Sequence, residues 1–547
     1  MEGRLFIDGR KVATEHKIVS ENPSTLRPVG EACLAGPTEC RAALEAAQKA
    51  FPVWKRTGIE KKRMLFRRAK SILLERAEDI AGLICAEKGT PSTEAMAVEV
   101  MTGLEHLDYY IRRLAHLLKP KKASPYVAFF KHKKSRFHFE PVGPTLVISP
   151  WNFPFLIPFL EVTAALAAGN TVVLRPSSTT PLSSLKIGEI FFEAGFPPGV
   201  VNIVNTERRE SEELVSSPLI RTIVFTGGIT TGRRIMELAS KNLTDVILEL
   251  GGKDPMIVCR DADLDRAAGG AVWGAFMNTG QSCGSVERLY VDQKIAETFI
   301  DKVLSLAKRL KTAYPDEPDT DIGPMATLHQ LKIVEEHVKD AVAKGAKILC
   351  GGCRLDNFPG YFFPPTVIIN ADHSMKVMRE ETFGPLLPIK TFSHLEEAVT
   401  LANDSSFGLT ASVWTRRRKT AALIAGEMET GTVTVNDHMF SFTEPGAIWG
   451  GPKLSGTGRS HGPFGMFRKQ NIKYTSYDFS RKKNLLWWFP WRPEWPGILK
   501  NAMTLFHHEK YSKRAGALAG LIRKWGIIFS GSPIRNYFKA FLRIIRK

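Results

Sequence analysis

Over residues 42–118 apolar positions recur at three- and four-residue spacing: Leu44, Ala47, Phe51 and Trp54, then Met64, Leu65, Ala69, Ile72, Leu73, Ala77 and Ile80. That period places them on one face of successive helices. Between Pro120 and Phe139 the chain turns basic and extended, and the alternation Arg136-Phe137-His138-Phe139 predicts a strand with one covered face. From Thr145 the rhythm changes again. Short β-rich runs (Leu146-Val147-Ile148, Thr171-Val172-Val173-Leu174, Val200-Val201-Asn202-Ile203-Val204, Thr222-Ile223-Val224-Phe225, Val246-Ile247-Leu248) alternate with helical stretches. Such alternation predicts a doubly wound parallel sheet, in which ligands sit beyond the carboxyl ends of the strands. After Asp261 a second α/β unit is expected, with helices near 264–279 and 295–312 and strands near 363–369 and 431–436. A cleft between the two halves is the natural place for chemistry.

Composition refines this α/β reading. A chain of 547 residues, 44% hydrophobic and 24% charged, exceeds one compact core, so two or three domains are expected. Seven thinly spread cysteines fit a reducing compartment better than a disulfide framework. The pair in Cys350-Gly351-Gly352-Cys353 reads as a glycine turn following a strand. The N-terminus lacks the apolar core of a signal peptide, and no run of 18 apolar residues is present, so a cytoplasmic location is expected. Charge is uneven. Residues 481–547 carry fifteen Lys and Arg against two acids, which is +13 of the net +19.

Four segments have the residue types that chemistry needs. Phe225-Thr226-Gly227-Gly228-Ile229-Thr230-Thr231-Gly232 links a strand to a helix, and its glycines let backbone amides approach a phosphate, though many such turns use glycine for geometry alone. Glu249, at a strand end before Leu250-Gly251-Gly252-Lys253, is either a general base or a solvated turn acid. Cys283 stands in Asn278-Thr279-Gly280-Gln281-Ser282-Cys283-Gly284, among small and polar neighbours that suit a nucleophile. Asn152, in the stiff turn Pro150-Trp151-Asn152-Phe153-Pro154, offers a fixed amide of the kind that serves oxyanions, although a turn asparagine is more often structural.

Together with Glu380-Glu381-Thr382-Phe383-Gly384-Pro385, and in this order along residues 5–480, these segments resemble the aldehyde dehydrogenase superfamily. The resemblance implies an NAD- or NADP-dependent oxidation of an aldehyde through a thioester on Cys283. Asn152 and the Cys283 amide would hold the oxyanion, and Glu249 would activate water. It assigns cofactor contacts to Ser149, Trp151, Arg175, Ser178, Gly227, Gly228, Gly232, Glu381 and Phe383, and no metal. It also implies a Rossmann-type cofactor domain (1–120 and 143–250), an α/β catalytic domain (251–450) and oligomerisation strands (121–142 and 468–480) of a homodimer or homotetramer. Three departures bear on this. Arg175 replaces the family's usual lysine, and Ser178 stands where many NAD-preferring members have glutamate, which leaves NADP acceptable. Gly228 replaces a serine, and Ser460 a second glutamate; His461 could stand in for that acid, but a histidine there reads more simply as surface.

The tail beyond residue 480 is outside the resemblance. Trp487, Trp488, Trp491 and Trp495 crowd together, and Ile534, Tyr537, Phe538, Phe541, Ile544 and Ile545 would share one helix face opposite Arg535, Lys539, Arg543, Arg546 and Lys547. This is the pattern of a helix lying on an anionic membrane surface; packing on the enzyme body or a partner subunit competes with it, and nucleic acid is not expected. A membrane-held enzyme would meet medium- or long-chain aldehydes, with Phe153, Phe155, Trp273, Phe276, Met277 and Phe440 as channel candidates. A semialdehyde dehydrogenase and a non-catalytic scaffold are the alternatives.

Overall fold

The computed structural model describes residues 2–127, 130–480, 488–491 and 493–524. The segment 534–547, on which the interfacial helix was expected, and Trp487 lie outside the described residues. The described chain divides into two units, residues 2–119 with Phe139–Ile472 and residues 120–138 with 473–524.

The helical period of the N-terminal region gives the helices Pro37–Arg56, Ile59–Glu75, Ala77–Lys88 and Thr102–Leu117. Glu39 starts the first by accepting the Gly36 amide at 2.9 Å, and Gly89 ends the third in the left-handed region (φ 83°). The 3.6-residue pattern fails at one place. Over Ala95–Met101 the backbone widens into a π-helix, and the buried Glu99 there accepts the amides of Phe155 and Leu156 at 2.9 and 3.0 Å. Those amides open the helix Leu156–Ala168, whose residues are all buried, so a carboxylate satisfies donors that nothing else could reach.

The predicted parallel strands form the centre of an eight-stranded sheet. Asp245–Glu249, Thr222–Thr226, Thr145–Ile148, Val172–Arg175 and Val201–Ile203 lie side by side in that order, all parallel. Chain order reverses between Thr145–Ile148 and Thr222–Thr226, so the loops after Ile148 and Thr226 diverge and leave a crevice. A seven-stranded sheet is built around Asp254–Val258, flanked by Val286–Asp292 and Thr410–Trp414. Carboxyl ends of the first sheet and amino ends of the second meet at the residues Leu250 to Lys253, which carry the chain from one sheet straight into the other.

The second unit contains part of a three-stranded sheet (Gln470–Tyr477, Lys134–Pro141, Lys121–Ala123), where alternation predicted a strand, and the helices Trp495–His507 and Tyr511–Arg523.

Candidate active site

The short link between the sheets decides the site. Glu249 is the last residue of its strand, and two glycines follow because the chain runs where side chains cannot fit. A Cβ on Gly252 would fall 2.1 Å from the Cys283 carbonyl oxygen, and one on Gly251 2.5 Å from the Glu381 carboxylate. The Gly252 amide donates to Glu381 at 2.9 Å. Nucleophile loop, base strand and Glu381 loop are thereby in contact.

A cavity of about 260 Å³ opens at this junction, with Trp151, Asn152, Gly227, Gly228, Glu249, Cys283, Glu381 and Phe383 in its wall. Trp151 and Phe383 meet edge to face, ring centroids 5.4 Å apart. Asn152 Nδ2 donates to the Gln281 carbonyl at 3.1 Å, which commits one N–H and leaves the other for a ligand. Glu249 is 3% exposed; one oxygen accepts the Ser460 amide at 3.0 Å and the other has no partner among the described residues. Burial, with the Glu161 charge second, pushes its pKa up to about 8. The Cys283 thiol is half-buried and raised well above its ordinary value by burial and then by the carboxyls of Glu381, Asp254 and Glu249.

Of the other predicted positions, Ser149, Arg175 and Ser178 are not in the cavity wall. Ser149 follows the Thr145–Ile148 strand with its hydroxyl buried and without a hydrogen-bond partner among the described residues. Arg175 Nη2 donates to Ser178 at 3.1 Å and to the Thr206 carbonyl at 2.9 Å. Gly232 is not in the wall: a Cβ there would lie 2.9 Å from Leu250, so this glycine serves close helix-to-strand packing. Gly228 caps the helix Ile229–Ser240 and faces open space. Amides at a helix start, an open glycine cap and a buried free hydroxyl suit a phosphate-bearing dinucleotide.

The Aldehyde dehydrogenase family profile matches residues 10–475. The chain belongs to the aldehyde dehydrogenase family. It is 36% identical over 480 residues to 4,4'-diapolycopene aldehyde oxidase of Methylomonas sp, covering 87% of this chain and 88% of that protein. It is 35% identical over 477 residues to the putative succinate-semialdehyde dehydrogenase [NADP(+)] 2 of Mycobacterium tuberculosis, covering 86% and 88%. The crystal structure of the NAD-dependent aldehyde dehydrogenase from Sinorhizobium meliloti superposes with a TM-score of 0.85 at 31% identity, covering 89% of this chain and 97% of that one. The reaction is therefore NAD(P)+-dependent oxidation of an aldehyde to the acid.

Two expectations about this aldehyde dehydrogenase are corrected. His461 is not a surface residue. It is 6% exposed, its ring 5.4 Å from His106 and 5.3 Å from Phe442, and burial lowers its pKa to about 3. The backbone bridge between Trp449 and Ser460 turns this segment inward. Of the channel candidates, Phe155 stacks on Phe159 in the core at 5.0 Å, whereas Trp273, Phe276 and Met277 line a second cavity of about 620 Å³ and Phe153 and Met277 share a cluster with Cys283. Trp273 and Phe440 are about half exposed, at 47% and 52%. Sequence reasoning missed Gln330 and Ile333, which complete the cavity wall from the helix Leu328–Ala343. Their three-residue spacing on one helix face was the available signal, but it resembles any amphipathic helix.

Proposed function

We propose that Cys283 is the nucleophile, Asn152 the oxyanion donor and Glu249 the base of an enzyme for apolar aldehydes. The carrying observation is their convergence, with Glu381 and Phe383, on one small cavity. The Cys283 thiolate adds to the aldehyde carbon. Asn152 Nδ2 and the Cys283 amide stabilise the oxyanion, and loss of hydride leaves a thioester. Water that has given its proton to Glu249 then releases the acid and restores Cys283. The cofactor supplies the hydride acceptor. Ser149, Trp151, Arg175, Ser178, Gly227, Gly228, Glu381 and Phe383 hold it, and Gly232 supports that turn by packing.

Domain roles follow: 1–120 and 143–250 bind the dinucleotide, 251–450 carry catalysis, and the strands in 121–142 and 468–480 join subunits. Medium- or long-chain aldehydes are the favoured substrates, because Cys283 packs against an apolar cluster of Phe153, Leu156, Ile157, Met277, Phe442 and Trp449. The name of the Methylomonas relative points the same way. A chain-length series with NAD+ and NADP+ tests this: kcat/KM should climb with chain length, and preference for a short ω-carboxylated aldehyde would sink it.

A membrane surface is the favoured partner of the tail. No helix of the described residues is long and apolar enough to cross a bilayer. Trp488, Phe489 and Trp491 are exposed at 52%, 80% and 66%, and Lys500, Lys510, Lys513 and Arg514 lie close in sequence. Truncation after Ser480 should abolish sedimentation with anionic vesicles and spare turnover; undiminished sedimentation would refute the role.

A further inference from the structure

The loop that carries Cys283 is held in a costly conformation by a residue far away in sequence. After the helix Leu264–Phe276, both Asn278 (φ 54°) and Thr279 (φ 57°) take the left-handed backbone region, which L side chains adopt reluctantly. Consecutive residues of this kind persist only where their surroundings over-determine them.

The Asn278 side chain is the point of constraint. Its Oδ1 accepts from the Lys88 ammonium and, at 3.4 Å, from the Thr90 hydroxyl. Its Nδ2 donates to the Asn152 carbonyl at 2.9 Å and to the Gln281 carbonyl at 3.0 Å. The Gln281 carbonyl is also the acceptor of Asn152 Nδ2. One amide group therefore ties the backbone of the proposed oxyanion donor to the loop two residues before the nucleophile. Lys88 is wholly buried at the end of Ala77–Lys88, where a charge is kept only if it is well used. Burial lowers the Lys88 pKa to about 8, and Glu94 and Glu99, on the turns that follow it, oppose that shift.

We propose that Lys88 is a positioning residue for the aldehyde dehydrogenase reaction. Through Asn278 it sets the stance of Asn152 and of the Cys283 loop together, without touching substrate or cofactor. This rests on the roles assigned above to Cys283 and Asn152.

The test is a double-mutant cycle on the full chain, read as the pre-steady-state burst of NAD(P)H with one good aldehyde. Lys88→Met should slow the burst about ten- to a hundredfold, the effect of a misplacement of around an ångström, with cofactor affinity unchanged. Combined with Asn152→Ala, its loss should fall clearly short of multiplying, because the part that acts through the Asn152 amide is already gone while the part carried by the Cys283 loop remains. Lys88→Gln keeps an N–H donor and serves if the methionine variant folds poorly. It should slow the burst about three- to tenfold and likewise fall short of multiplying with Asn152→Ala. A burst within twofold of the parent in the folded Lys88 variant, or losses that multiply in the double variant, would overturn the proposal. An Asn152→Ala enzyme at the parental rate would remove the underlying assignment, and this proposal with it.

Discussion

Replacing Glu287 by glutamine is the sharpest test of how the cofactor side of the cavity is held. Glu287 sits in the Val286–Asp292 strand, 1% exposed, and its Oε2 meets the Lys253 ammonium at 2.5 Å. The same oxygen accepts the Thr382 amide at 2.7 Å, and Oε1 accepts the Phe383 amide at 2.8 Å. Lys253 also donates to the Thr382 hydroxyl at 3.1 Å. Burial alone would drive Lys253 towards its neutral form, and Glu287 opposes that. An amide in place of the carboxylate strands a buried ammonium, at a cost of about 3–5 kcal/mol. One of the two backbone amides then faces an NH₂ group, adding about 1–3 kcal/mol if it finds no acceptor. The lower figure already means about two decades in the unfolding equilibrium. Denaturation midpoints by tryptophan fluorescence, at one protein concentration, give the stability change. Cofactor KM gives the local one, since Glu381 and Phe383 are carried by the loop that Glu287 anchors. Lys253→Met in the same chain removes the stranded charge and should recover part of the loss. A Glu287→Gln enzyme within about 1 kcal/mol of the parent and with unchanged cofactor KM would refute this reasoning; so would a double variant less stable than the single.

Other outcomes follow from the proposed roles. Asn152→Ala should lower the rate of hydride transfer about a hundred- to a thousandfold, the worth of one oxyanion donor; a burst unchanged in stopped flow would exclude it. In the parent enzyme thioester hydrolysis should rise with pH through about 8, since Glu249 must be charged to accept a proton. Glu249→Gln should keep the NAD(P)H burst yet lose steady-state turnover and that pH limb, and full turnover in this variant would assign the base elsewhere. Ser178→Glu would place a carboxylate beside Arg175, which lies 3.1 Å from the serine hydroxyl. It should raise KM for NADP+ far more than for NAD+, and equal effects on both would contradict the placement.

Much of this was readable from the chain. Strands such as Thr145–Ile148 and Thr222–Thr226 announce themselves because they are buried on both faces and so read as short apolar runs. Cys283 stood out because small polar neighbours surround it. What stayed hidden depends on partners distant in sequence. The π-helix at Ala95–Met101 has meaning only once the amides of Phe155 and Leu156 are in place. His461 looks like a surface residue until the Trp449–Ser460 bridge turns it towards His106. Lys88 carries no motif, and its use depends on Asn278, 190 positions away. Phe155 could not be told from a channel residue, since an aromatic side chain serves core and channel equally well.

The four residues from Leu250 to Lys253 also set what heredity can change here. One residue added to that link would turn the alternation of the following strand over, exchanging the residues of Asp254–Val258 that face the two cores on either side of it. The alternative is to displace Glu249 from the cavity, and the tight approach of Gly252 to Cys283 leaves no slack to absorb the difference. Length variation among descendants of this gene should therefore be absent from the 250–253 interval and gather in exposed loops, where no second strand keeps count.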